Sequence, residues 1–133
     1  MNNIRTSGKF VVNLVTENLF DAMNISAADF PAEQRELAAA HLHAAPSVRI
    51  KAPRVAQASL ECKLLSAQLL GANTLFIGEV VMFHVADHLI GPRLHINNFA
   101  PIGRLGSPSV YCCITDRFDV ARVTHAQWLR DNN

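Results

Sequence analysis

Charge of one sign is the first thing missing from this sequence. In 133 residues, 12 lysines and arginines stand against 11 acidic residues, a net charge of +1, so no global field gathers nucleic acid or an anionic membrane. The basic residues are also scattered; Arg49, Lys51 and Arg54 form the densest group, which solvated loop charge explains. Cysteine is scarce, with 3 in all, and the adjacent Cys112 and Cys113 cannot meet ordinary disulfide geometry without strain. That excludes a disulfide framework and fits a reducing compartment. Long hydrophobic runs are lacking as well: Phe10 to Val15 and Leu75 to Val85 are short and are interrupted by Asn13, Gly78, Glu79 and His84, which excludes a spanning helix. Met1-Asn2-Asn3-Ile4-Arg5 has neither a signal-peptide core nor an arginine-rich amphipathic run. The cytoplasm is the expected location, with no membrane and no nucleic acid as partner.

Catalytic signatures are absent too. No nucleophile elbow or Ser-His-Asp pattern occurs, and no glycine-rich fingerprint follows a strand, so hydrolase and Rossmann readings fall away. There are 6 histidines, but His41-x-His43 and His84-x-x-x-His88 have no cysteine or acidic residue at a spacing that completes a metal shell. No catalytic residue and no metal site are assigned.

What is present is mainly β. Half the residues are apolar, enough for the core of one domain over residues 1–133, with 112–133 as a C-terminal extension ending in a short helix. Phe10-Val11-Val12-Asn13-Leu14-Val15 is β-branched with no clear period of two, which predicts a central strand covered on both faces. Thr16 is placed to cap a helix from Glu17 to about Asn24. Pro31 is placed to open a second helix through Glu36, Leu37 and His41. Ala44 to Val55, with Pro46 and Pro53, reads as an exposed connector. Ala56 to Leu70 and Asn73 to Ala86 then form a long β-hairpin about Gly71-Ala72. In its first strand Leu60, Cys62 and Leu64 share one face and Glu61 and Lys63 the other; the second strand is apolar on both faces and belongs in a barrel or sandwich. Further on, Val110 to Ile114 reads as a strand, and Thr124-His125-Ala126-Gln127 has capping-box spacing.

Among polar side chains, Glu79 lies in an apolar strand, where an ionised carboxylate must be paired; Lys63 is its cross-hairpin partner. Cys62 reads as a buried hydrophobe, and at most one of Cys112 and Cys113 can line a pocket. Asn24, Ser26 and the amides up to Asp29 form a polar loop, and Arg104 lies in a glycine-flanked loop. Short polar side chains, free amides and a guanidinium are groups that hold a phosphate or the edge of a flat heterocycle.

Several ordered segments resemble the flavin reductase-like, FMN-binding split-barrel family. They are Gly8-Lys9-Phe10-Val11-Val12-Asn13-Leu14-Val15, Met23-Asn24-Ile25-Ser26-Ala27-Ala28-Asp29-Phe30-Pro31, Glu36-Leu37-Ala38, Ala52-Pro53-Arg54-Val55, Leu60-Glu61-Cys62-Lys63-Leu64, Leu75-Phe76-Ile77-Gly78-Glu79-Val80-Val81 and Pro101-Ile102-Gly103-Arg104-Leu105-Gly106. Each is weak alone; their order and spacing across residues 4–111 carry the match.

The resemblance implies an antiparallel barrel with peripheral helices, a homodimer with FMN near its interface, and hydride transfer from NADH or NADPH to the flavin. It implies no catalytic triad, because the cofactor carries the chemistry. It further implies a flavin-accepting partner such as a monooxygenase. By position it assigns Asn24, Ser26, Ala28, Asp29 and Phe30 to the border of the flavin site, Arg104 and Tyr111 to the closing arginine-to-tyrosine motif, and His84 to the nicotinamide side. Ser107-Pro108-Ser109 departs from the glycine-rich form of that loop. Family members also carry earlier strands, a serine- or threonine-rich phosphate segment and a basic-Asp-Thr motif ahead of Ile4-Arg5. Without those strands the expectation is a weakened or absent FMN site, unpaired strand edges and a dimer or misassembled oligomer. The rival expectations are a non-catalytic flavin- or small-ligand-binding barrel and a truncated, inactive fragment.

Overall fold

Gly71, at φ +60°, reverses the chain between two 13-residue strands, β2 (Ala58–Leu70) and β3 (Asn73–Val85). A glycine at the first position of a two-residue loop gives the backbone sense that matches the twist of a hairpin. The computed structural model describes residues 2–31, 36–50, 54–106 and 108–132. Around the hairpin the described elements are α1 (Asn2–Ser7), β1 (Lys9–Asn13), α2 (Phe20–Ser26), α3 (Glu36–Ala39), β4 (Ile102–Gly106), β5 (Val110–Cys113) and α4 (His125–Asp131). Both sheets are antiparallel, with orders β1-β2-β3 and β4-β5.

β1 is an edge strand of its sheet, not the central strand that its apolar run predicts. It pairs only with the first part of β2, from Lys9 opposite Lys63 to Asn13 opposite Ser59. The cause is a change of partner just past its end. Leu14 donates to Ala58, whereas Val15 accepts from Ile102 and Thr16 bridges Pro101. The apolar run is therefore shared between two sheets, which join at this point. Ala58, Leu89 and Phe99 form a small buried core at the junction, with Leu14, Val85 and Ala86 packed against it.

The hairpin does not alternate cleanly. Glu61 and Cys62 are consecutive, yet they oppose Met82 and Val80, so Val81 is the extra residue of a bulge on β3. Leu64 and Ser66 oppose Gly78 and Ile77, which makes Leu65 the extra residue on β2. Between Ser59 and Leu64 β2 itself carries no extra residue, so its alternation holds there, and Glu61 and Cys62 are both buried because both faces of the strand are covered. Glu61 and Lys63 share a face, as alternation predicts, but Glu61 is completely buried and Lys63 exposed.

The helices differ from the sequence reading at their ends. A 3-10 turn over Glu17–Leu19 leads into α2, and the Thr16 hydroxyl bonds the Asn18 side chain and caps no amide. α3 ends before His41, which has φ 53°; the stretch 32–35, through which the expected helix would run, lies outside the described residues, as does 51–53 of the connector. At the C-terminus Thr124 and Gln127 form the reciprocal capping box that their spacing predicts.

Accessible surface totals 10572 Å². A compact monomer of 14.6 kDa is expected to expose roughly 6,900 Å². Exposed large hydrophobics include Leu65, Leu69 and Leu70 on the distal hairpin, at 65%, 71% and 57%, and also Leu94, Phe118 and Val120. Among the described residues no helix is long and apolar enough to cross a membrane.

Candidate functional site

The two-stranded ribbon β4–β5 brings one expected pair together. Arg104 and Tyr111 stand directly opposite each other, and the guanidinium lies 5.7 Å from the centre of the tyrosine ring, within the range of cation–π attraction. Arg104 also donates to the Pro108 carbonyl at 3.2 Å, which holds the turn of the ribbon. Tyr111 in turn meets Phe20, the first residue of α2, edge to face with ring centres 4.9 Å apart. Phe20 was not singled out by sequence; its place at a helix start, facing a distant tyrosine, has no local signature.

A cleft of about 390 Å³ opens beside this cluster, lined by Phe20, Tyr111, Ile102, Glu17, Asp21 and the two adjacent cysteines. Cys112 and Cys113 both reach it, against the expectation that only one would, because the cleft wraps the end of a two-stranded ribbon. Cys112 fits there since Gly103, opposite it, has no side chain: a Cβ on Gly103 would sit 3.0 Å from the Cys112 sulfur. All three cysteines are free, and burial pushes the Cys62 thiol up.

The loop after α2 is arranged differently. Asn24, Ala28 and Asp29 are exposed, while Ser26 and Phe30 are half-buried. Its donors are largely committed: the amides of Ala27, Ala28 and Phe30 donate to Met23, Ile25 and Ala28 carbonyls, and the Ser26 hydroxyl donates to Met23 at 2.9 Å. α2 separates this loop from Phe20 by six residue steps, about 9 Å of helix. No described contact joins it to Arg104 or Tyr111.

His84 is placed elsewhere again. Its Nε2 pairs with the Glu61 carboxylate, which is completely buried. Glu61 also accepts from three successive amides of the connector, Val48 and Arg49 at 2.7 Å and Ile50 at 3.0 Å. Burial alone would raise its pKa; the amide donors of Val48, Arg49 and Ile50 and the His84 hydrogen bond outweigh that and lower it to about 2. The imidazole borders a second cleft, with Arg54, Gln57 and Phe83. Sequence reading passed over Glu61; the signal available was a carboxylate between Leu60 and Cys62 in the middle of an apolar strand. Lys63 and Glu79 stand opposite each other in register, both exposed, whereas the buried carboxylate, Glu61, hydrogen-bonds His84.

A flavin needs a flat wall for its ring and donors for its phosphate. Phe20 and Tyr111 offer aromatic surface to the cleft, with their rings 82° apart. The loop at 24–30 does not fit the second, since most of its amides are committed and Asp29 repels an anion. Among the described residues no three His, Cys, Asp or Glu side chains gather as a metal site.

Comparison with known proteins supplies the context. A family model described as the flavin reductase like domain matches residues 1–102. An uncharacterized protein of Deinococcus radiodurans is 33% identical over 132 residues, covering 95% of this chain and 58% of that protein. Among solved structures, nitrilotriacetate monooxygenase component B from Bacillus cereus is 33% identical, with TM-score 0.80 over 90% of this chain and 63% of its own. The 2-nitrobenzoate 2-nitroreductase of Pseudomonas fluorescens is 32% identical, with TM-score 0.81 over 93% of this chain and 64% of its own. The chain thus spans less than two thirds of each of these proteins.

Proposed function

Because the chain belongs to the flavin reductase-like family and has its split-barrel fold, we propose that it is part of an FMN-binding oxidoreductase that passes a hydride from NADH or NADPH to the flavin. The geometry that carries this reading is the Arg104–Tyr111–Phe20 cluster, a cation and two rings beside an open cleft. Aromatic surface beside a cation suits one edge of a planar, electron-poor heterocycle. When bound, the flavin supplies the redox chemistry; the residues here bind and orient it.

The phosphate half of the site is not supplied by the 24–30 loop, so these residues hold the flavin weakly unless other segments complete the cradle. A homodimer is part of the proposal, since the exposed apolar hairpin is the kind of surface that subunits cover. His84, beside Arg54 and Phe83, is assigned to the nicotinamide side. A monooxygenase or another flavin acceptor is the proposed downstream partner.

The test is an FMN titration of the 133-residue chain, monitored by absorbance and by NADH and NADPH oxidation. Weak, substoichiometric FMN is expected, with oxidation that rises as FMN is added. A tightly yellow, stoichiometric complex would sink the incomplete-cradle reading. Flavin binding with no nucleotide oxidation would sink the reductase assignment.

A further inference from the structure

Three consecutive backbone amides that converge on one point form a concave anion site. Here the amides of Val48, Arg49 and Ile50 converge on a carboxylate of the protein's own, Glu61, whose other hydrogen bond goes to His84. Backbone amides are abundant in any connector; here three in a row share one buried carboxylate. The same strap is closed at its base by paired hydrogen bonds between Ala45 and Arg54, and the Arg54 Nε donates to the Pro46 carbonyl at 2.9 Å. On the sheet side, the Asn13 side chain accepts from Val55 at 3.0 Å.

We propose that Glu61 is a positioning residue, an internal anion that fastens the strap to the sheet and fixes the His84 ring, so that Arg54 and His84 border the same cleft. An ionised carboxylate has acceptor capacity for all four bonds and no donor, so the imidazole Nε2 must donate to it and the ring has one orientation. The groups around the carboxylate agree with this role. β1 places Val11 opposite Glu61, β3 places Met82 opposite it and contributes His84, and the strap carries Arg49 and Arg54. The described neighbours include no second carboxylate to compete for the amides. This clip stands on geometry alone and is independent of the flavin reading.

The experiment measures amide exchange at Val48, Arg49 and Ile50 together with tryptic cleavage after Arg49 and Arg54. In Glu61→Gln one acceptor oxygen becomes a donor, and both rates should rise by about tenfold or more, while exchange in the paired part of β2 holds. Glu61→Asp, which keeps the charge, should recover part of the protection. In Glu61→Ala, added acetate or formate should restore protection by occupying the amides, and chloride should do so less well. The ring nitrogens of His84 should report a fixed Nε2–H form in the native protein and an averaged one in Glu61→Gln. Unchanged exchange and an unchanged ring in Glu61→Gln would overturn the proposal.

Native protein gives a second arm should the variants fail to fold. Because folding depresses the Glu61 pKa from 4.5 to about 2, its stabilisation is complete above 4.5 and is lost as the pH falls toward 2. The three strap amides should therefore lose protection in that window before the β2–β3 amides do. Loss of all of them together would overturn the clip as a local device.

Discussion

The two halves of the β2–β3 hairpin are built from the same kind of sequence and meet different fates. In the half nearest β1, Ala58, Ser59, Glu61 and Cys62 are buried, because β1 pairs alongside and the strap crosses one face. In the distal half Leu65, Leu69, Leu70, Leu75 and Ile77 are exposed. Apolar content is similar; what differs along β2 is whether the chain has anything to lay on top, while on β3 Phe83 stays 68% exposed even in the half nearest β1. Two-sided hydrophobicity in a strand therefore reports that a cover is expected, and leaves open whether the same chain provides it.

The largest expected break in that contrast is Gly78→Val. A Cβ on Gly78 would lie 2.5 Å from the ring of Phe10 and 3.2 Å from the Cys62 Cβ. The ring must leave its seat on β3, at a cost of about 2 kcal/mol for overpacking, readable as a lower urea midpoint. A midpoint equal to the native one would mean that the proximal half is not packed as described. Next in size is Ser59→Ala. The Ser59 hydroxyl is buried with no hydrogen-bond partner among the described residues, so its removal should stabilise by about 1 kcal/mol, measured in the same way; a destabilised variant would point to a partner for it. The smallest effect on folding belongs to Leu69→Lys in the distal half, within about 0.5 kcal/mol for an exposed site. The same substitution should weaken self-association in sedimentation velocity, and an unaltered association constant would remove this face from the dimer.

Much of the architecture was legible because it is local. Gly71-Ala72 between two long apolar segments specifies a hairpin whose observed ends fall within two residues of those predicted. Thr124 and Gln127 specify their capping box for the same reason. Arg104 and Tyr111 were named through resemblance, and a tight ribbon does bring them face to face. Their link to Phe20 was not legible, since it depends on where Val15 and Ile102 join the two sheets. The loop at 24–30 was read as a source of free amides; whether an amide is free depends on which carbonyl it turns toward, and its amides mostly turn inward. The burial of Glu61 was not legible, because it depends on amides 48–50 of a connector that crosses the sheet.

By itself the sequence determined which segments extend, where the hairpin turns, that the charge is balanced, and which family the ordered motifs belong to. Those properties come from backbone preference, side-chain period and composition, which act over a few residues. Only the tertiary structure decided that β1 is an edge strand, that Glu61 is swallowed whole beneath a strap, and that the distal hairpin leucines stay exposed. Each of these depends on contacts between residues far apart in the chain, where one extra residue in a strand or one change of partner redirects every side chain beyond it.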